Sequence, residues 1–245
     1  MMRTCLRLCT GLVLFALFLL QGCASVSRVA TDPRDPWEKT NRQIYAFNDA
    51  LDVMIARPVA KTYVEVVPQP LRTGAGHFLA NLRDVWTLAN TALQGKVQMT
   101  AETLMRIQVN TFFGLGGLLD VASEMRIPHH REDFGQTLAV WGMPSGPYVM
   151  LPLLGPSTLR DALAQGVDLN VDVPGMVWDS GTSRALGVLR VVDTRASLLM
   201  TVDAMRNAAL DPYTFVRDAY LQKRRNDVYD GNPPSNFDFT DPDSP

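Results

Sequence analysis

Residues 132–168, EDFGQTLAVWGMPSGPYVMLPLLGPSTLRDALAQGVD, are mostly apolar yet cannot form one ordinary helix. Gly135, Gly142, Gly146 and Gly155 open backbone angles closed to other residues, while Pro144, Pro147, Pro152 and Pro156 each remove a donor and fix φ. The stretch must run as a bent, irregular apolar path. Its broken backbone needs hydrogen-bond partners in protein or along a water-lined cavity, so the rest of the chain has to be built around it.

On either side the dominant period is helical. Asp35-Pro36-Trp37-Glu38 reads as a helix start, with Asp35 as N-cap, Pro36 at the first helical position and Glu38 placed for a capping box. Ile44, Phe47, Leu51, Met54 and Ile55 follow at helical spacing, opposite Arg42, Gln43, Asp49 and Asp52, and the helix is expected to end near Pro58 with its apolar stripe packed in a core. The chain turns at Pro68-Gln69-Pro70. Residues 77–95 read as a second helical pair that Gly95 stops.

Residues 98–113 place Ala101, Leu104, Met105, Val109, Phe112 and Phe113 on one side, with Glu102, Arg106 and Asn110 on another. They run into Gly114-Leu115-Gly116-Gly117, a flexible, tightly packed elbow. Pro156-Ser157 is expected to cap a helix carrying Arg160, Asp161 and Asp168. Residues 171–183 turn and bring Trp178 to a surface or membrane interface, residues 184–205 form one long amphipathic helix, and Asp211-Pro212 caps a last one ending in Lys223, Arg224 and Arg225. The expected fold class is all-α, a single domain of amphipathic helices.

The compartment is written at the N-terminus. Arg3 and Arg7 precede an apolar run over residues 11–20, the charged and apolar regions of a secretory signal peptide, too short for a spanning helix. Leu20-Gln21-Gly22-Cys23 follows directly and has the form of a bacterial lipobox. Cys5 and Cys9 lie in the segment to be removed, which leaves Cys23 as the only thiol and excludes disulfides, cysteine-ligated metals and a cysteine nucleophile from the body. Acylation of Cys23 would anchor the chain, each buried methylene adding ~0.8 kcal/mol. The expected organisation is a signal peptide over 1–22, a lipidated tether over 23–34, a helical domain over 35–230 and a disordered acidic, proline-rich tail over 231–245.

Several motifs share their order and spacing with one family. They are Asn41-Arg42 with Phe47-Asn48 and Leu51-Asp52, then Phe78 with Asn81, Asn110-Thr111 leading through the glycines to Asp120-Val121-Ala122, Asp133-Phe134-Gly135-Gln136-Thr137-Leu138, Trp141-Gly142, Gly146-Pro147-Tyr148, Leu151-Pro152, and Leu154-Gly155-Pro156-Ser157 with Arg160-Asp161. Asp193-Thr194-Arg195 and the Asp211-Pro212-Tyr213 segment continue the series. The chain closely resembles the MlaA (VacJ) family of outer-membrane lipoproteins over residues 35–223.

That resemblance implies a ring of amphipathic helices in the inner leaflet of the outer membrane, around an amphipathic pore. Through it, misplaced outer-leaflet phospholipid would pass to an MlaC-like periplasmic carrier, and a trimeric porin would be a partner. Asn41, Phe47, Asn48, Asp52, Asn81, Asn110, Gly114, Gly116, Gly117, Asp120, Phe134, Gly135, Thr137, Gly142, Gly146, Pro147, Tyr148, Pro152, Gly155, Arg160 and Asp161 are the family-motif positions that would serve the lipid path. Beyond the lipid on Cys23 and phospholipid as cargo, no cofactor is expected.

Other chemistries fit the residues poorly. A formal net charge of −2 with interleaved signs offers no footprint for nucleic acid. The glycine-rich elbow follows a helical pattern instead of a strand and lacks the P-loop lysine. Ser145 is misplaced for a nucleophile elbow, and the three histidines all precede residue 131. His129 and His130, with Glu132 and Asp133, could form a loose metal site, although a solvated loop is the default. Two non-enzymatic readings remain: a lipid-conducting module, and a structural lipoprotein that braces an outer-membrane porin complex.

Overall fold

The computed structural model describes residues 32–234, so Cys23, the signal segment and the tail from residue 235 onward lie outside the described residues. Helix α1 (Glu38–Leu51) passes through a π turn (Asp52–Ala56) into α2 (Arg57–Val66). Pro58 does not end the helix as expected. It takes the first turn of α2, where a missing N–H is tolerated, and the wide turn before it absorbs the break. Helix α3 (Gln69–Leu93) is a single helix of 25 residues, not a pair; Pro70 opens it, and Gly95 closes it with φ +71°.

Helix α4 (Val97–Phe112) enters the glycine elbow, and the one-turn helix α5 (Val121–Glu124) leaves it. The proline-rich stretch resolves into α6 (Phe134–Val140), strands β1 (Tyr148–Leu151) and β2 (Gly155–Thr158), and α7 (Leu159–Asp168). The strands pair antiparallel, Tyr148 opposite Thr158 and Leu151 opposite Gly155. The helical reading contained neither this hairpin nor the helix over Arg57–Val66, and α7 is capped by Thr158 instead of Pro156-Ser157.

A 3₁₀ turn (Pro174–Met176) precedes α8 (Ser180–Ser197), which Asp179 caps. Residues 184–205 are not one helix: the axis breaks at Leu198, and α9 (Leu199–Ala208) follows. Asp211 and Pro212 start α10 (Pro212–Val228) as expected. No helix among the described residues is long and apolar enough to cross a membrane.

Packing neighbours form a closed circuit. Helix α3 packs on α6, α6 on α7, α7 on the hairpin and the hairpin on α1; α1 continues through the π turn into α2, α2 packs on α8, and α8 returns to α3. Helix α4 braces α3 from outside this circuit, and α10 braces α6 and β2. The helical ring is thus present in the connectivity of its joints.

The interior of this ring of contacts inverts the usual distribution. Among the described residues buried apolar side chains are few, and the apolar cluster is Tyr148, Met150 and Tyr213, with Ile44, Tyr45, Val216, Tyr220 and Leu221 against it. Asn41, Asn81, Asp84, Thr87, Asn90, Thr103, Arg106, Asn110 and Asp161 are buried instead. Phe47, Met54 and Ile55, expected in a core, are more than half exposed, and Phe112 at the end of α4 and Phe113 just after it exceed 70%. On α4 Thr103, Arg106 and Asn110 are buried while Leu104, Met105 and Phe112 are exposed; on α1 Asn41 is buried and Phe47 exposed, although Ile44 and Tyr45 still pack on the apolar cluster.

Candidate functional site

The family-motif positions do not converge on one cleft. Most of them fall at four buried polar networks, three on the circuit and one at the elbow after α4.

At the first joint α1 meets the hairpin. Asn41 donates to Tyr148 O (3.2 Å) and accepts from Met150 N–H (2.9 Å), and Asn48 donates to Leu151 O (2.9 Å) and accepts from Leu153 N–H (2.8 Å). Seven residues apart, the two amides share a helix face and act as a surrogate strand, satisfying an edge that an apolar neighbour would leave orphaned. Pro147 directly precedes β1 and accepts from Leu159 N–H at 3.0 Å; Pro152 opens the three-residue loop, in which Leu153 has φ +66°, and Gly155, at φ +87°, starts β2. Gly146, at φ +64°, lies against Leu159.

Asp35 also belongs here and is not a helix cap. Its carboxylate accepts from Asn41 Nδ2 (2.8 Å) and the Tyr213 hydroxyl, with Arg217 at 3.5 Å, while Trp37 takes the N-cap position without a side-chain bond. Burial and then the hydrogen bond to Asp35 push the Tyr213 phenol well above its ordinary range.

At the second joint Arg224 of α10 clamps α6 to α7. It donates to both oxygens of Asp133 (2.6 and 2.7 Å) and both of Asp161 (2.8 and 2.9 Å), and the Tyr220 hydroxyl adds a bond to Asp161 at 2.9 Å. Burial opposes ionisation of both acids, but hydrogen bonds from Arg224 and its charge outweigh it and hold them below the ordinary carboxylate range. Gly135 makes the approach possible, since a Cβ there would lie 2.3 Å from the Arg224 guanidinium and 2.6 Å from Asp161. Arg160 adds a bond to Asp161 at 3.0 Å. Thr137 donates to Asn90 Oδ1 at 2.7 Å, and the Phe134 amide donates to Asp168. Phe134 stands edge-on to Trp141, and Gly142, at φ +91°, ends α6.

The third joint is the elbow. Arg106, buried on α4, donates to Asp120 (2.9 and 3.1 Å) and to Ile127 O (2.7 Å). Asn110 donates to Asp120 at 3.1 Å and accepts from Ala122 N–H at 2.9 Å. Desolvation of Asp120 is overcome by bonds from Ser123 and Asn110 and by Arg106, which bring its carboxyl down to about 2. Gly114 has no room for a side chain, with Leu119 O 2.3 Å from where a Cβ would stand; Gly117, at φ +97°, would place one 2.8 Å from Asn81 Nδ2. Gly116 needs its positive φ alone. The elbow is held by its surroundings and is not a loose hinge.

At the fourth joint Asp52, in the π turn, accepts from Arg195 of α8 (2.5 and 2.9 Å) and from Arg206 of α9 (3.3 Å). Phe47 joins no network and points outward.

The histidine pair divides. His129 Nε2 meets Asp84 at 3.1 Å and His130 Nε2 meets Glu102 at 2.6 Å, so the two rings turn to different elements. Among the described residues, no group of three potential ligands is placed to hold a metal ion.

Sequence reasoning gave neither Arg224 nor Arg106 a role, reading the first as part of a basic helix end and the second as one of the residues opposite the apolar side of α4. A signal existed: Tyr213, Arg217, Tyr220 and Arg224 recur at helical spacing, one face of α10 alternating phenol and guanidinium.

The family profile described as MlaA lipoprotein matches residues 33–227. The chain is 38% identical over 212 residues to a Shigella flexneri protein named intermembrane phospholipid transport system lipoprotein MlaA, covering 84% of this chain and 82% of that one. A Haemophilus influenzae protein of the same name is 32% identical, with 89% of each chain covered. A solved structure concerned with the structural basis for maintenance of bacterial outer membrane lipid asymmetry superposes with a TM-score of 0.68 at 35% identity, covering 81% of this chain and 99% of that one. Joints, matched length and fold agree, and the chain belongs to the MlaA lipoprotein family.

Proposed function

We propose that this protein is a lipid-anchored component of an outer-membrane phospholipid transport system, which withdraws misplaced phospholipid from the outer leaflet and passes it to a soluble periplasmic carrier. The observation that carries this reading is the inverted partition of side chains. Buried amides, carboxylates and guanidiniums hold the ring together, while Phe112, Phe113, Leu115, Met54 and Met200 stand out from it. In water, so much exposed apolar surface is a liability; in acyl chains it is the stable arrangement, and helices too short to span can lie along one leaflet.

A ring sunk in the inner leaflet, tethered by acylated Cys23, would shelter headgroups on polar walls and tails on apolar ones. It thereby avoids ~0.8 kcal/mol for each methylene otherwise exposed to water. Phospholipid is the cargo and no cofactor is required. A trimeric porin is a natural neighbour, since it supplies a rigid wall at the depth of the outward apolar face.

Vesicles containing brominated phospholipid test the placement. The half-exposed Trp37 and Trp141 should be quenched by bromines at acyl-chain depth, and the purified protein should retain phospholipid through mild detergent. Unquenched tryptophans with no retained phospholipid would favour a bracing lipoprotein instead.

A further inference from the structure

Among the described residues, four other than glycine have a left-handed backbone: Leu115 (φ +54°), Arg126 (φ +59°), Leu153 (φ +66°) and Asp230 (φ +51°). An aspartate tolerates that conformation, whereas a leucine is strained in it, because its Cβ crowds the following carbonyl. Leu115 stands in the elbow and Leu153 in the hairpin loop, with 71% and 76% of their surfaces exposed. So little packing inside the protein cannot offset the strain.

Each leucine is locked in place by its neighbours. In the elbow Gly116 N–H bonds back to Thr111 O at 3.0 Å, and Gly117 and Leu119 N–H to Gly114 O at 3.1 and 2.9 Å. The first of these closes a Schellman motif, in which the left-handed residue before the donor is usually glycine. Here it is leucine, although glycines stand on both sides of it. In the hairpin loop Leu153 N–H is held by Asn48 Oδ1 at 2.8 Å, and the pairing of Leu151 with Gly155 closes the loop behind it. Strain maintained by the surroundings, with an exposed side chain as its result, points to a use outside the fold.

The character of the two tips selects the partner. Leu115 continues the exposed pair Phe112 and Phe113 and leads to Leu118 and Leu119, and Leu153 is followed by exposed Leu154. The polar groups at their roots are spent within the fold: Asn48 on the Leu151 carbonyl and the Leu153 amide, Asp120 on Arg106, Asn110 and Ser123. A protein partner draws on directed hydrogen bonds around an apolar centre, whereas acyl chains require only apolar surface.

We propose that Leu115 and Leu153 are prongs that enter the acyl-chain region of the leaflet and set the depth and tilt at which the ring sits. The proposal rests on the transport reading and adds the residues that seat the ring. Burial of two leucine side chains among acyl chains offsets the strain in their backbones, so the conformations that are costly in water become useful in lipid.

The full acylated protein is reconstituted into vesicles of phosphatidylethanolamine and phosphatidylglycerol, with a nitroxide on Leu115→Cys, Leu153→Cys or, for comparison, Phe112→Cys. In power-saturation electron paramagnetic resonance, oxygen dissolved in the acyl chains should relax all three labels and a water-soluble nickel chelate should relax none. A shielded Phe112 label with either tip open to nickel would overturn the prongs and leave the transport reading standing; all three open to nickel would overturn the membrane placement itself. Tips reached by neither reagent would reveal a protein contact and remove lipid as the occupant. The variant Leu115→Asn/Leu153→Asn keeps residues that accept a left-handed backbone but removes the apolar tips. It should unfold in detergent at the same urea concentration as wild type or a higher one, while extraction of phospholipid by empty carrier slows about tenfold. A lower unfolding midpoint would make the leucines structural, and an unchanged extraction rate would leave them no part in seating the ring; either result refutes the proposal.

Discussion

Replacing Arg224 with methionine isolates the energetics of a polar joint. The side chain is 11% exposed and divides four bonds between Asp133 and Asp161, whose side chains are 40% and 8% exposed. Removing one partner of a buried ion pair costs about 3–5 kcal/mol, because the other charge is stranded. Asp133 reaches water and its share must be discounted, so the expected loss is about 3 kcal/mol, mostly from Asp161. The pH dependence gives an independent check. In the wild type both carboxyls are depressed, so their contribution is complete above the unfolded value of roughly 3.9 and is lost as pH falls through the folded values. In Arg224→Met the depressing cause is gone, while burial and the mutual repulsion of the two acids remain. Their pKa values should rise, and protonation should relieve the variant as pH falls. Urea unfolding in detergent, followed by circular dichroism, should show the full deficit at pH 7.5 and a smaller one at pH 4.5. A deficit under about 1 kcal/mol at pH 7.5, or one independent of pH, would refute the clamp.

Asn41→Ala should cost about 2–3 kcal/mol in the same unfolding assay, because Met150 N–H and the Asp35 carboxylate lose a buried partner; a loss under about 1 kcal/mol would mean that water replaces the amide. Gly117→Val meets both a φ of +97° and Asn81 2.8 Å from its Cβ, so the elbow must shift. The protein should still reach the membrane while outer-leaflet phospholipid rises in cells, and normal lipid asymmetry at normal protein levels would remove the elbow from the mechanism. Cys23→Ala should leave the precursor uncleaved, and intact mass of the wild type should show a diacylglycerol-modified cysteine at the mature N-terminus; an unacylated product starting elsewhere contradicts the lipobox.

Helical period and punctuation were legible from the residues. The positions of α1, α4 and α10, the Asp211 cap, the stop at Gly95 and the tight elbow follow from local spacing, which depends little on the rest of the chain. The direction in which each helix faces was not legible. The amphipathic pattern of α4 is equally compatible with Leu104, Met105, Phe112 and Phe113 packed in a core, or with Arg106 and Asn110 packed and the apolar residues outside. Only the solvent decides between these, and on the proposed reading a ring that faces lipid reverses the rule for water-soluble domains. The same reversal hid Arg224, since a basic helix end in water is ordinarily a solvated one. Asp35 was misread because its sequence context fits an N-cap, whereas its partners Asn41 and Tyr213 are set by tertiary packing. The hairpin was missed because β1 pairs with a proline-containing strand and borrows its other edge from two asparagines, neither of which leaves an alternating pattern.

The most direct test of the account concerns direction of flow. On the transport reading proposed above, the ring lowers the barrier to lipid passage without biasing its direction. The bias has to come from an acceptor that binds phospholipid tightly or is kept empty by an ATP-driven partner. The purified acylated protein, reconstituted alone into vesicles with asymmetrically labelled phospholipid, should only equilibrate lipid between accessible sites, and net extraction should begin when empty soluble carrier is added. Sustained one-way transport against a lipid gradient, without carrier or nucleotide, would contradict the account.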